Sequence, residues 1–201
     1  MNTIYTIGYS GFSFEAFADM LANNQISAVI DVRSAPHSRH FPDYDREALK
    51  EKLAPKHIYY RNYAHEFGAR QDNPLFYTDG IMDFAKFSRS EQFLQGVEKL
   101  TESMKQGYTF ALMCAEKEPV TCHRAILVSR AFRDRNFQVI HLMPDGNHLS
   151  QKDIDNTLIE KFFPNYNQLS FNAEMLSDEE MLAKAYILQN KEIGFKWSDR
   201  K

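Results

Sequence analysis

Three consecutive pieces of the chain decide the fold: Thr3-Ile4-Tyr5-Thr6-Ile7-Gly8, then Ser13-Phe14-Glu15-Ala16-Phe17-Ala18 running on to Asn23-Asn24, then Ala28-Val29-Ile30-Asp31-Val32. The first alternates β-favouring residues and stops at a glycine, so it reads as a strand. In the second, Ser13 is an N-cap, and Phe14, Phe17, Ala18 and Leu21 make the apolar stripe of a helix that ends at the paired asparagines. The third is a nearly continuous apolar run, as expected of a strand covered on both faces. Strand, helix and buried strand within thirty residues form a βαβ unit, whose crossover is right-handed.

The alternation continues outward. Arg33 to Tyr44 is a loop punctuated by Pro36 and Pro42, and Asp45 caps a short helix to Leu53. Ile58-Tyr59-Tyr60 is a short strand, Asn62 to Thr78 is irregular, and helices are expected over Asp79–Lys86 and Glu91–Lys105. Thr109-Phe110-Ala111-Leu112-Met113 is another buried strand, followed by a helix from Thr121 to Arg135, a strand at Gln138–Leu142 and a helix at Gln151–Phe162. This order predicts a three-layer α/β/α domain with a mainly parallel sheet over residues 1–164. Residues 165–201 form a C-terminal helical extension whose helix starts at Ser177 and either packs on its own domain or meets a second subunit. The oligomeric state is open.

Composition narrows the class. Of the 201 residues, 43% are hydrophobic and 13% aromatic, which excludes a disordered chain. No apolar run approaches the roughly 18 residues of a membrane span, and the start lacks a signal-peptide pattern, so a cytoplasmic protein without a membrane partner is expected. Cys114 and Cys122 are the only cysteines and do not make a secreted disulfide framework. The formal charge of -3 argues against broad nucleic-acid binding, although a local basic patch remains open.

Three strand ends gather residues richer in chemistry than connecting loops need. The first strand exits into Gly8-Tyr9-Ser10-Gly11, the second into Asp31-Val32-Arg33-Ser34-Ala35-Pro36-His37-Ser38-Arg39-His40, and the strand near residue 110 into Cys114-Ala115-Glu116 and on to Cys122-His123-Arg124. In a parallel sheet these carboxyl ends share one edge, where open α/β sheets place their ligands.

The motifs Thr6-Ile7-Gly8-Tyr9-Ser10, Asp31 to Arg39 with Phe41, and Cys114-Ala115-Glu116 leading to Pro119 and Cys122-His123-Arg124 resemble the domain-of-unknown-function 488 family over roughly residues 3 to 145. The resemblance implies a compact α/β domain and no particular reaction.

Arg33, Arg39 and Arg124 are the anion ligands to expect, because the guanidinium fork suits phosphate or carboxylate. Arg124 also lies near a helix N-terminus. Arg33 has an alternative as a partner of Asp31 or Glu116. Glu116 is the catalytic carboxylate of choice, either transferring protons from a partly desolvated position or orienting His123 or Arg124. His123 is the second catalytic candidate, as a donor to a developing oxyanion or as a turn cap. Tyr9 and Ser10 bind substrate or close the first turn, and Asp31 supports Arg33 or Ser10.

Cys114 and Cys122 are supporting residues. The strand–Cys–loop–Arg–helix order is similar to that of rhodaneses and cysteine phosphatases, and Asp31-Val32-Arg33 is similar to a rhodanese strand. An anion cradle, however, needs successive N–H groups wrapped round one site, and Arg124 lies ten residues after Cys114 and two after Cys122. Cys114, Cys122 and His123 offer three metal ligands at a spacing unlike an ordinary zinc pair, with a fourth unassigned, so neither metal nor cofactor is expected.

The leading expectation is an enzyme, a hydrolase or transferase, acting on a phosphate-bearing small molecule, a nucleotide or a nucleic-acid end. The alternative is a non-catalytic nucleic-acid- or protein-binding module using His37, Arg39, His40, Phe41, Tyr44 and Arg46. A rhodanese- or phosphatase-like thiol enzyme is a further one.

Overall fold

The structure is a computed structural model that describes residues 2–38, 40–164 and 176–200. Arg39 and the start of the expected extension, 165–175, lie outside the described residues. In chain order, the βαβ unit is β1 (Thr3–Gly8), α1 (Phe14–Asn23) and β2 (Ala28–Asp31). The side chain of Ser13 accepts from the backbone N–H of Ala16 and caps α1. Then come α2 (Arg46–Leu53), β3 (Tyr59–Asn62), α3 (Ala64–Phe67), the hairpin β4 (Tyr77–Thr78) and β5 (Ile81–Met82), α4 (Phe84–Phe87) and α5 (Glu91–Lys105). The second half holds β6 (Phe110–Cys114), a π-helical segment Arg124–Ser129, α6 (Arg130–Arg133), β7 (Gln138–Leu142), β8 (His148–Ser150), α7 (Gln151–Phe162) and α8 (Asp178–Ile193).

The main sheet runs β3-β2-β6-β1-β7-β8, parallel except for the antiparallel edge strand β8. Strand alternation sends Ile7, Val29, Ala111, Met113 and Leu142 to one face, where they pack with α1 and α2. It sends Ile4, Ile30, Leu112, Cys114 and Val139 to the other, with α3, α4, α5, the π segment, α7 and α8. Those are the three layers expected. The first two crossovers lead away from β1 on one face. The chain then reverses, crosses on the other face and inserts β6 between β2 and β1. With right-handed crossovers, a reversal of direction requires a change of face, and it leaves a crevice at the carboxyl edge.

Two local expectations change. Asp79 to Lys86 is not one helix: Asp79 (φ 50) and Gly80 (φ 75) form a tight left-handed turn between β4 and β5, and only Phe84–Phe87 is helical. The helix expected over Thr121–Arg135 is shorter: a separate 3₁₀ turn at Pro119–Thr121 ends at the extended Cys122, and the chain then enters the π segment. Cys122 to Ser129 are all buried, because this stretch is enclosed by sheet and helices on every side.

Helix α8 packs on its own domain. Ala185 and Tyr186 join the core, Gln189 Nε2 donates to Val120 O at 2.8 Å, and Asn190 bonds the backbone of Met82 and Phe84. A buried polar relay ties it in further. Thr6 Oγ1 donates to His141 Nδ1 (2.7 Å), His141 Nε2 donates to Gln151 Oε1 (3.1 Å), and Gln151 Nε2 donates to Tyr186 Oη (2.9 Å), which in turn donates to Asp155. No helix among the described residues is long and apolar enough to cross a membrane.

Burial, and then the charge of Arg124, hold His141 down at a pKa of about 3, against about 6.5 in an unfolded chain. Between those values the unfolded state binds the extra proton, so stability falls as pH falls from about 6.5 towards 3, at about 1.4 kcal/mol per pH unit. Urea unfolding between pH 7 and 5 should show this slope, and His141→Gln should flatten it.

Candidate functional site

Because β6 lies between β1 and β2, the three loops singled out in the sequence meet at one edge. The register aligns Gly8 with Cys114 and Asp31 with Met113. Pairing continues past the strands: Tyr9 N donates to Cys114 O (3.1 Å), Ser10 N to Ala115 O (3.0 Å) and Val32 N to Met113 O (3.0 Å). Between the loops lies a pocket of about 360 Å³, within the size range of small-molecule sites. Tyr9, Arg33, Cys114, Glu116 and His123 line it, together with Arg70 and with Phe195 from beyond α8. A larger hollow of about 910 Å³ between β7, α7 and α8 has neither cysteine nor histidine in its lining.

Arg33 forms one wall. It is buried (5% exposed) and bound fork-to-fork to the fully buried Asp31, Nε to Oδ1 at 2.8 Å and Nη2 to Oδ2 at 2.6 Å. Tyr60 Oη also donates to Asp31 Oδ2. Asp31 therefore takes up two of the three guanidinium nitrogens, while Nη1 is buried and has no hydrogen-bond partner among the described residues. Its guanidinium carbon lies 5.2 Å from the centre of the Tyr9 ring, which stacks on Tyr44.

The floor is a polar cluster. Both thiols, Cys114 Sγ at 2.9 Å and Cys122 Sγ at 3.0 Å, donate to Glu116 Oε2. Oε1 has no partner among the described residues. Glu116 is exposed as a residue, while its carboxyl end turns in towards the buried sulfurs. Burial of that end, reinforced by Cys122, raises its pKa above the usual carboxylate range. His123 Nε2 donates to Val32 O at 2.9 Å, and its Nδ1 faces Cys114 Sγ (3.7 Å) and Cys122 Sγ (4.0 Å). Burial pushes the Cys114 thiol up. The donor atoms of Cys114, Glu116, Cys122 and His123 all lie within 4.8 Å of one another, so the fourth metal-type donor that spacing left unassigned is Glu116.

Four residues are held otherwise than the sequence suggested. Arg124 is fully buried and does not reach the pocket; its guanidinium donates to Glu116 O, to Lys117 O (2.9 Å) and to Thr6 Oγ1 (3.4 Å). It holds the 114–124 loop from beneath instead of binding an anion. His123 lines the pocket, but its N–H is bound to a carbonyl and its other nitrogen is turned to the thiols. Ser10 is absent from the pocket lining, and Tyr44 is buried, with its hydroxyl on Phe12 O and Ser13 O, so it offers no face for base stacking. The pocket residues that sequence reasoning missed are Arg70 and Phe195. They come from an irregular stretch and from the chain end, where no periodicity points inward.

Fold and site together define an α/β protein with a polar cleft at the carboxyl edge of a mainly parallel sheet. Residues 13–131 match the profile of the family described as Domain of unknown function DUF488, and the chain belongs to that family. The match contains the second and third motifs, while Thr6 to Ser10 precedes it. Searches of curated proteins and of solved structures returned no match.

Proposed function

We propose that the pocket is the active site of an enzyme acting on a phosphate-bearing small molecule, nucleotide or nucleic-acid end. The observation that carries this reading is that Arg33 lines the pocket and has a buried Nη1 without a partner among the described residues. A buried guanidinium donor without a partner is costly unless a ligand satisfies it, and a planar guanidinium suits a phosphate oxygen. Arg70, exposed at the rim with its guanidinium 4.7 Å from the Phe195 ring centre, adds a second positive charge. Glu116, with its raised pKa and free Oε1, handles the proton of a hydrolytic or transfer step. Cys114, Cys122 and His123 fix that carboxyl from behind.

A thermal-shift panel of inorganic phosphate, sugar phosphates and nucleoside phosphates tests this. At least one compound should raise the Tm of the wild type by several degrees, as ligand linkage requires. Arg33→Lys, which keeps a positive charge beside Asp31 but lacks the planar fork that can hold both Asp31 oxygens and still reach a ligand, should lose that shift. Arg70→Gln, at an exposed position, should weaken binding several-fold without altering the fold. Glu116→Gln should bind the ligand and fail to turn it over. A panel without any shift, or equal shifts in wild type and Arg33→Lys, would remove the proposal.

A further inference from the structure

We propose that Cys114, Cys122, His123 and Glu116 bind a divalent cation of the zinc class at the floor of the pocket. The inference goes beyond the anion reading and does not depend on it.

The four side chains converge from two turns of chain: the end of β6 and the residues just before the π segment. Their donor atoms fall within 4.8 Å of one another. With metal–sulfur bonds of about 2.3 Å and metal–nitrogen bonds of about 2.0 Å, a tetrahedral ion spaces these atoms about 3.5 to 3.8 Å apart. The sulfur–nitrogen separations of 3.7 and 4.0 Å lie a few tenths of an ångström above the sulfur–nitrogen edge of that tetrahedron, and a small closure on binding brings them to it. The sulfur–oxygen separations of 2.9 and 3.0 Å are those of thiol hydrogen bonds to one carboxylate oxygen. They open by about half an ångström or more once an ion replaces the two protons.

The surroundings are those of a metal site. Donation from His123 Nε2 to Val32 O fixes the tautomer, so the lone pair of Nδ1 points at the sulfurs, the outer-shell arrangement that orients metal-bound imidazoles. The Arg124 backbone N–H donates to Cys122 Sγ at 3.4 Å, as amides do to metal thiolates. Two sulfurs, one imidazole and one carboxylate form a borderline-soft set that suits zinc and not magnesium or calcium. Ordinary core cysteines behave as small hydrophobes, and that role calls for neither a shared carboxylate nor a facing imidazole. Cys114, Glu116 and His123 also line the pocket, so the ion is reachable from it. Glu116, the one exposed residue of the four, is the ligand able to yield its position to water or substrate. In the loaded protein, activation of water passes from the Glu116 carboxyl to the ion, in line with metal sites that keep one exchangeable position.

The test uses the full chain purified under reducing conditions. About one zinc per chain is expected by elemental analysis, with both thiols shielded from a thiol reagent until a strong chelator is added. Cobalt(II) added to the chelated protein should give the visible absorption of a tetrahedral thiolate site. Glu116→Gln, a substitution at an exposed position, should keep the fold and weaken metal affinity tenfold or more. Cys122→Ser should abolish the cobalt spectrum. A chain that holds no metal, gives no cobalt spectrum and has freely titrating thiols would overturn the proposal. So would a Cys114–Cys122 disulfide whose reduced form still takes up no ion. A phosphate panel without hits leaves these outcomes untouched, and loss of the metal leaves the Arg33 result standing.

Discussion

Gly8→Ala is expected to yield little or no folded protein. A Cβ at Gly8 would lie 1.8 Å from the Glu116 carbonyl oxygen, 2.8 Å from its carbonyl carbon and 2.9 Å from Arg124 Nη1. The first two are backbone atoms and cannot swing aside. That backbone is pinned by the bonds of Tyr9 N to Cys114 O and Ser10 N to Ala115 O, and by Arg124 donating to Glu116 O. Relief therefore means lifting the 114–124 loop off the sheet edge and losing several buried hydrogen bonds together. Overpacking alone costs about 1–3 kcal/mol; with the lost bonds at about 1 kcal/mol or more each, the total reaches about 5 kcal/mol. A domain whose whole stability is about 5–15 kcal/mol has little left after that. Gly107→Ala is the control: its φ of +94 strains an alanine, but nothing lies within 4 Å of the added methyl, so a loss of only about 1 kcal/mol is expected. Urea unfolding midpoints of the two variants decide the matter. Equal, small shifts would show that the loop is free to move away.

Arg124→Met should cost about 3–5 kcal/mol in the same measurement. The guanidinium is fully buried, and its partners among the described residues are two loop carbonyls and the Thr6 hydroxyl, with no carboxylate. Hydrogen bonds from a charged donor contribute about 1.5–3 kcal/mol each, and the two orphaned carbonyls would face the protein interior. Release of a buried charge offsets part of the loss. Arg124→Lys should rescue little, because one ammonium cannot span both carbonyls and Thr6. A second readout separates this from generic core damage. Arg124 adds to burial in holding the pKa of His141 down, so in Arg124→Met that pKa rises while burial still keeps it below the ordinary value. An NMR titration of His141 reads the shift, and an unchanged His141 pKa would mean that the two side chains are not coupled.

Much of the fold was legible because local signals and burial agree. Ser13 and Ser90 each accept a bond from the third residue of their helix, and α1 and α5 lie where caps and apolar stripes place them. Ala28–Asp31 and Phe110–Cys114 are apolar throughout except Asp31, since both strands are covered on two faces. The hairpin was written in Asp79-Gly80, a strong two-residue turn signal, but Asp79 also reads as a helix cap, and two-residue strands carry no periodicity to arbitrate. The π segment has no sequence signature that distinguishes it from an α-helix of the same apolar content.

The site was legible to the level of its loops and no further. Parallel strand ends bring Arg33, Cys114, Glu116 and His123 together whatever their roles. Which arginine faces the pocket is a matter of depth: Arg33 stops at Asp31 with one nitrogen to spare, whereas Arg124 runs under the loop and ends on carbonyls. The Cys-Glu-Cys-His grouping escaped spacing rules because Glu116 and Cys122 reach the cluster only when the intervening loop folds back.

The relay from Thr6 through His141 and Gln151 to Tyr186 and Asp155 has a consequence for how the molecule breathes. A C-terminal helix usually peels away at little cost, independently of the rest. Here, detaching α8 would withdraw the Tyr186 hydroxyl from Gln151 and Asp155, with His141, Thr6 and Arg124 next along the chain of bonds. Opening of α8 should therefore cost more than the fraying of a singly anchored helix, since the bonds lead from it through Arg124 to the Glu116 carbonyl beneath the cleft.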